Sequence, residues 1–255
     1  MGGVEMLRGL YSSYAGMRAW LLRQDVVAAN LANVSSHGYK QDRAVFRSFP
    51  PREMVALQGR EVGFGSRLQP LGPYSGGVLL GEVRTDFSQG ALEETGVPTD
   101  LAVEGEGFFA VLRGGRVLYT RNGSFHLDRD LYLVDSAGGR VLDDRGNPIR
   151  VEGELQVRED GSLIVEGREA GRLGLFAFDD PLALRKAGEG YFTAGAQPRP
   201  ASGRVRQGYL EASNVSTVDQ MVQLIEGLRA YESNQRLILV QDRTLEKLIN
   251  QTGKV

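Results

Sequence analysis

A chain of 255 residues with 41% apolar content can bury a core, and its 30 basic and 32 acidic residues form no long single-sign block. Disorder throughout is thereby excluded, as is the basic footprint of a nucleic-acid or anionic-lipid binder. The absence of cysteine removes disulfides, thiolate catalysis and zinc–thiolate sites together.

The N-terminal stretch reads as one long helix. Leu10, Tyr14, Met17, Leu21, Gln24, Ala28 and Leu31 recur at alternating spacings of four and three, the seam of a helix that packs on another helix. No run approaches the roughly eighteen apolar residues of a membrane span. Arg8, Arg18, Arg23 and Asp25 also interrupt the region where a secretory signal would need a continuous apolar stretch, so any export is expected to use a route without a cleaved signal. Asn33, Ser35 and Ser36 compete for backbone hydrogen bonds, and Gly38 tolerates the left-handed conformation that ends helices. The helix is expected to stop near residues 34–36.

Residues 47–84 read as a connection, with Pro50, Pro51, Pro70 and Pro73 among Gly59, Gly63, Gly65, Gly72, Gly76 and Gly77. The period then changes from helical to alternating. "FFAVL" and "RVLYT" flank Gly114-Gly115 as a hairpin, "SFHL" and "LYLV" flank Asp128-Arg129-Asp130, and Asp160-Gly161 separates "ELQV" from "SLIVEG". Residues 85–195 are therefore expected to form an antiparallel all-β domain. A second connection follows, with Gly195, Pro198, Pro200 and Gly203.

Near the C-terminus the three–four alternation returns in Met221, Leu224, Leu228, Tyr231, Gln235, Ile238, Asp242, Leu245 and Ile249. Ser216 followed by Asp219 resembles a capping box, with the carboxylate at the positive end of the helix dipole. About thirty residues at about 1.5 Å rise predict a helix roughly 45–50 Å long.

Candidate chemistry is sparse. His37 and His126 are the only histidines and have no metal-ligand spacing. Gly105-x-Gly107 lacks a third glycine and precedes a strand, so it reads as a bend feeding Phe108 and Phe109 to the core. Glu104 and Glu106 could mimic a glycosidase pair but fit a solvated strand edge better, and "LDDRGNP" lacks calcium-loop spacing. No catalytic, cofactor or metal site is expected.

The terminal stripes most economically pack on each other, which predicts an α+β fold: long N- and C-terminal helices as a coiled-coil-like stalk, with an inserted antiparallel β domain. The expected organisation is 1–36 with 213–252 as the helical assembly segment, 37–84 as an extended connection, 85–195 as the β domain and 196–212 as the return. Two helices leave apolar surface exposed, and heterologous contact that does not close yields a helical tube. Gln24, Gln235 and Asp242 fit positions that fix register.

Three blocks carry a resemblance: "LRGLYSSYAGMRAWLLRQDVVAANLANVSSHGYKQDRAVF", "TGVPTDLAVEGEGFFAV" with "YTRNGSFHLD", and "QGYLEASNVSTVDQMVQLIEGLRAYESNQRLI". In order and spacing they resemble the signature blocks of the flagellar rod and hook axial protein family. The resemblance implies a structural subunit of the bacterial flagellar basal body, exported unfolded through the flagellar type III apparatus and partnered by itself and paralogous rod, hook or proximal axial proteins. It implies an inner layer of terminal helices and an outer β domain, with no nucleic acid and no membrane insertion. Asn30, Leu31, Ala32, Asn33, Gly38 and Tyr39 match the N-terminal motif, and Ser213, Asn214, Val215, Arg229, Ala230 and Tyr231 the C-terminal one. Ala29 and Ser36 depart from it, leaving Asn30 and Asn33 as the structural asparagines. "MLRGLY" and "FRSFP" look slightly more like the proximal of the two larger rod proteins. The expected assembly surface is Leu10, Tyr14, Met17, Leu21, Ala28, Asn30, Leu31, Asn33, Gly38 and Tyr39, with Ser213, Asn214, Val215, Met221, Leu224, Leu228, Tyr231, Ile238 and Leu245. A stalked surface adhesin or glycan-binding module is the alternative; it would need exposed aromatics such as Tyr119, Phe125 and Tyr132. A cell-wall hydrolase using Glu104 or Glu106 is the remaining one.

Overall fold

The computed structural model describes residues 2–58 and 67–252 and divides into two units, 1–28 with 43–84 and 218–255, and 29–42 with 85–217. Gly59, Gly63, Gly65 and the side chain of Ile249 lie outside the described residues.

In the first unit, helix α1 spans Gly2–Ala32 and helix α2 spans Thr217–Thr252. With 36 residues α2 is about 54 Å long, slightly more than the spacing predicts. The helices meet antiparallel: Gly9 faces Gln241, Gly16 faces Asn234, Trp20 covers Gly227, and Arg23 Nη2 donates to Gln223 Oε1 at 3.3 Å. Each of these glycines faces an amide or a ring of the other helix. A Cβ at Gly9 would collide with the Gln241 side chain.

The stretch between helix and β domain is more structured than a bare connection. Strand β1 (Asp42–Ser48) pairs with β4 (Val78–Thr85), and β2 (Arg52–Gln58) pairs antiparallel with β3 (Arg67–Tyr74). The register of that hairpin shifts between Met54 and Val55, opposite Pro70, where the missing N–H cannot serve a regular ladder. Sequence reading took the prolines as marking a connection, whereas a bulge lets the ribbon absorb one of them. Gly77 lies flush against α1, since a Cβ there would approach Ala15 Cβ to 2.7 Å.

The second unit is built on a nine-stranded sheet whose central strand, Phe108–Arg113, is covered on both faces. Phe109 joins Val103, Phe125, Leu133 and Val141 on one side, and Phe108 and Ala110 join Tyr119, Phe178 and Phe192 on the other. Strand alternation sends neighbouring aromatics into separate cores. The hairpin at Gly114-Gly115 forms as its sequence predicts, Arg113 pairing with Arg116 while both glycines take positive φ. The hairpins 125–127 with 133–135 and 155–157 with 162–165 form likewise. Strands continue past the expected end at 195, through Arg199–Pro200 and Arg204–Gln207 to Tyr209–Glu211.

Candidate assembly interface

The two sequence motifs converge in the second unit. After Ala32 the chain tightens through Asn33 N–H to Asn30 C=O at 3.1 Å, and Gly38 takes φ +67°. A Cβ at Gly38 would strike the Arg121–Asn122 backbone, so glycine is required both by conformation and by space. Gly38 N–H donates to Glu211 C=O at 2.7 Å, laying the exit of α1 along the segment that leads into α2.

Asparagine side chains complete this joint as substitutes for backbone pairing. Asn30 Oδ1 accepts from Asp42 N–H, and its Nδ2 donates to Asp42 C=O, both at 2.8 Å; Tyr39 Oη donates to the same Oδ1 at 3.3 Å. Asn214 Oδ1 accepts from Gln41 N–H at 2.7 Å, while its Nδ2 reaches Asp86 C=O at 2.9 Å and Ser88 C=O at 3.0 Å. One side chain thus ties three separated segments, which suits asparagine because it both donates and accepts.

Beneath these amides lies a buried ion cluster that sequence reading missed. Lys40 Nζ is 2.5 Å from Glu211 Oε1, Arg121 Nη1 is 3.1 Å from Oε2, and the Lys40 and Glu211 side chains are 1% and 0% exposed. Gly90 N–H donates to Glu211 Oε1, Lys40 Nζ also donates to Ser88 C=O, and Arg121 Nη2 donates to Gly105 C=O at 2.7 Å. Burial lowers the pKa of Lys40 and of Arg121, and the Glu211 carboxylate opposes that shift in both. Burial, then the nearby Asp42 carboxylate, pushes the Tyr39 phenol up to about 12. Lys40, Arg121 and Glu211 all fall inside the quoted signature blocks. Charged residues in such blocks are normally solvated, and only folding brings positions 40, 121 and 211 together.

The predicted seams divide between half-buried and exposed positions. On α1, Tyr14 and Leu21 are exposed, and Gln24 and Ala28 point to solvent, while Leu10, Met17 and Leu31 are half-buried. On α2, Met221, Leu228, Gln235 and Asp242 are exposed, and Leu224, Tyr231, Ile238 and Leu245 are half-buried. Across the contact, Gly9, Gly16, Trp20 and Arg23 of α1 face Gln241, Asn234, Gly227 and Gln223 of α2, with buried Ser13 on the same stripe of α1. Asn30, Gly38, Tyr39 and Val215 are buried, with Asn33, Ser213 and Asn214 half-buried. Asn30, Gly38, Tyr39 and Asn214 build the joint through the contacts above.

Other candidates resolve into structural roles. Glu104 and Glu106 are each held by an arginine, Arg206 and Arg199, at 2.8 Å. Tyr119 and Phe125 are buried in the two cores, and Tyr132 lies under Arg140, so these aromatics offer no open sugar platform. His37 lines a polar surface depression beside Asn33 and Tyr39.

Two terminal helices with apolar outer faces, on a chain whose middle is an independently cored β unit, define a subunit built to associate through its ends. Comparison with known proteins gives that class a family. Residues 10–40 match the family described as flagella basal body rod protein, 102–165 the flagellar hook protein FlgE/F/G D1 domain, and 206–251 the flagellar basal body rod FlgEFG protein C-terminal domain. The chain is 31% identical to the flagellar basal-body rod protein FlgG of Bacillus subtilis, over 96% of this chain and 99% of that one. It is 34% identical to FlgG of Borreliella burgdorferi, over 94% and 97%, and 34% identical to FlgF of Caulobacter vibrioides, over 95% and 98%. The chain belongs to the flagellar basal-body rod protein family. Relatives carrying both names match at similar identity, so the proximal leaning of "MLRGLY" and "FRSFP" is not carried further.

Proposed function

We propose that this chain is a structural subunit of the flagellar basal-body rod, polymerising into a helical tube that transmits torque between motor and hook. The carrying observation is the division of labour on the terminal helices. Tyr11, Tyr14 and Leu21 of α1 and Met221, Ile225 and Leu228 of α2 are exposed, whereas Gly9, Gly16, Trp20 and Arg23 face α2 of the same chain. Exposed large apolar side chains in stripes mark surfaces that other molecules cover. The coiled-coil-like stalk read from the heptads is kept for the α1–α2 pair, and the exposed side chains of both helices are assigned to contacts between subunits. Its partners are further copies and paralogous rod, hook or proximal axial proteins, reached after export in an unfolded state through the flagellar type III apparatus. The terminal segments within 1–36 and 213–252 are assigned to assembly and 85–195 to the β domain, which the strands to Glu211 and residues 29–42 extend.

Deletion of residues 1–28 tests this reading, since it removes α1 up to, but not including, Asn30 and the joint. The β unit is expected to keep its cooperative unfolding transition while incorporation into basal bodies and swimming are lost. Incorporation of the truncated chain at the level of the full one would refute a role for the helices in assembly.

A further inference from the structure

α1 carries, away from α2, a groove of about 340 Å³ whose walls include Tyr11, Tyr14, Arg18 and Leu22 of the helix and Phe49 and Val78 of the strands beside it. Tyr11 and Tyr14 are 68% and 60% exposed, a large aromatic surface to leave in water. Arg18 is exposed in the same groove and has no ion-pair partner among the described residues. The occupant must therefore offer an apolar ridge with a carboxylate close by.

Building on the reading of the chain as a self-assembling subunit, we propose that this groove seats the first turns of α2 from a second copy, with Glu226 meeting Arg18. Val218, 70% exposed, aligns with Val222 and Ile225 at spacings of four and three, on the side of α2 opposite Gly227 and its contact with Trp20. Between Thr217 and Leu228 the only charged residues are Asp219 and Glu226, both acidic, whereas beyond Leu228 the signs alternate. Val218 to Ile225 covers about 10 Å of helix and Tyr11 to Leu22 about 16 Å, so the ridge fits within the groove. A chain cannot fill its own groove in this way. Arg18 and Trp20 are two positions apart, roughly opposite on the helix, and Trp20 already holds the chain's own α2. Groove and ridge are different surfaces, so the contact is heterologous and can propagate without closing.

The test uses the full chain expressed in cells that lack the native copy. Because the sequence contains no cysteine, Tyr14→Cys together with Val222→Cys reports the contact directly by oxidative cross-linking within basal bodies. A ladder of dimers and higher species is expected. On that background Arg18→Glu or Glu226→Arg alone should cut the cross-linked product about tenfold, and the two together should restore it to within about twofold. A cysteine-pair chain that enters basal bodies without cross-linking overturns the groove assignment and leaves the proposed function standing, as do charge reversals that leave the ladder unchanged or a double reversal that fails to restore it. A native chain that never enters the basal body overturns the function and this contact with it.

Discussion

The joint and the helix pair solve opposite problems with opposite chemistry. In the joint, charges and amides are buried and extensively paired: Glu211 alone serves Lys40, Arg121 and Gly90, and Asn214 ties its own segment to Gln41 and to 86–88, while Arg121 Nε is left without a hydrogen-bond partner among the described residues. In the helix pair glycines face amides and a ring, some apolar side chains are half-buried, and others, such as Tyr14, Leu21, Met221 and Leu228, are exposed. A polar network is directional, so it holds one geometry. An apolar stripe is not directional, so it can wait for a neighbour.

The largest effect that sharpens this contrast is expected from Glu211→Ala. It leaves Lys40 and Arg121 buried without their shared carboxylate, and removal of one member of a buried ion cluster costs about 3–5 kcal/mol. Denaturant unfolding followed by near-ultraviolet circular dichroism reads the loss; a change below about 1 kcal/mol would mean that the cluster does not hold the joint.

A smaller effect comes from Tyr39. Its phenol, ordinarily titrating at 10.0, is raised to about 12 by burial first and Asp42 second. The unfolded chain therefore releases this proton first as pH rises. The stabilisation is complete below pH 10 and is lost between pH 10 and about 12. Tyr39→Phe should flatten that part of the alkaline loss, as read by unfolding curves through the same range; an unchanged slope would assign the loss to other groups.

The smallest stability effect belongs to the outer stripe. Met221→Ser and Leu228→Ser should each change unfolding free energy by no more than about 0.5 kcal/mol, because both side chains are already in water. Sedimentation of isolated basal bodies should nevertheless show less of either variant incorporated than of the native chain. A variant that unfolds far more easily yet assembles normally would reverse the roles given to the two regions.

Much of this was legible in the residues themselves. The three–four spacing marks both helices, Gly38 marks the sharp exit from α1, and the glycine and aspartate turns mark the hairpins, because each is a local consequence of backbone geometry. The signature blocks also pointed to Asn30, Asn33, Gly38, Tyr39 and Asn214, four of which do anchor the joint through the contacts described. Asn33 instead closes the end of α1, donating to Ala29 C=O at 2.8 Å. The ribbon between 42 and 85 was read only as a connection. Its prolines mask strand character unless the bulge opposite Pro70 is known.

Two matters were settled only by tertiary structure. Periodicity says that a helix has an apolar stripe but not which of its members the chain covers: Leu224, Tyr231 and Ile238 are half-buried while Met221 and Leu228 stay exposed. The Lys40–Glu211–Arg121 cluster joins residues 171 and 90 positions apart, and no local pattern distinguishes a charge that will be buried from one that will be solvated. The sequence by itself determined the two helices, the hairpins of the β unit and the family, because these rest on local pattern; the fold decided the ribbon, the buried cluster and which helix side chains stay exposed, because these rest on contacts between distant positions.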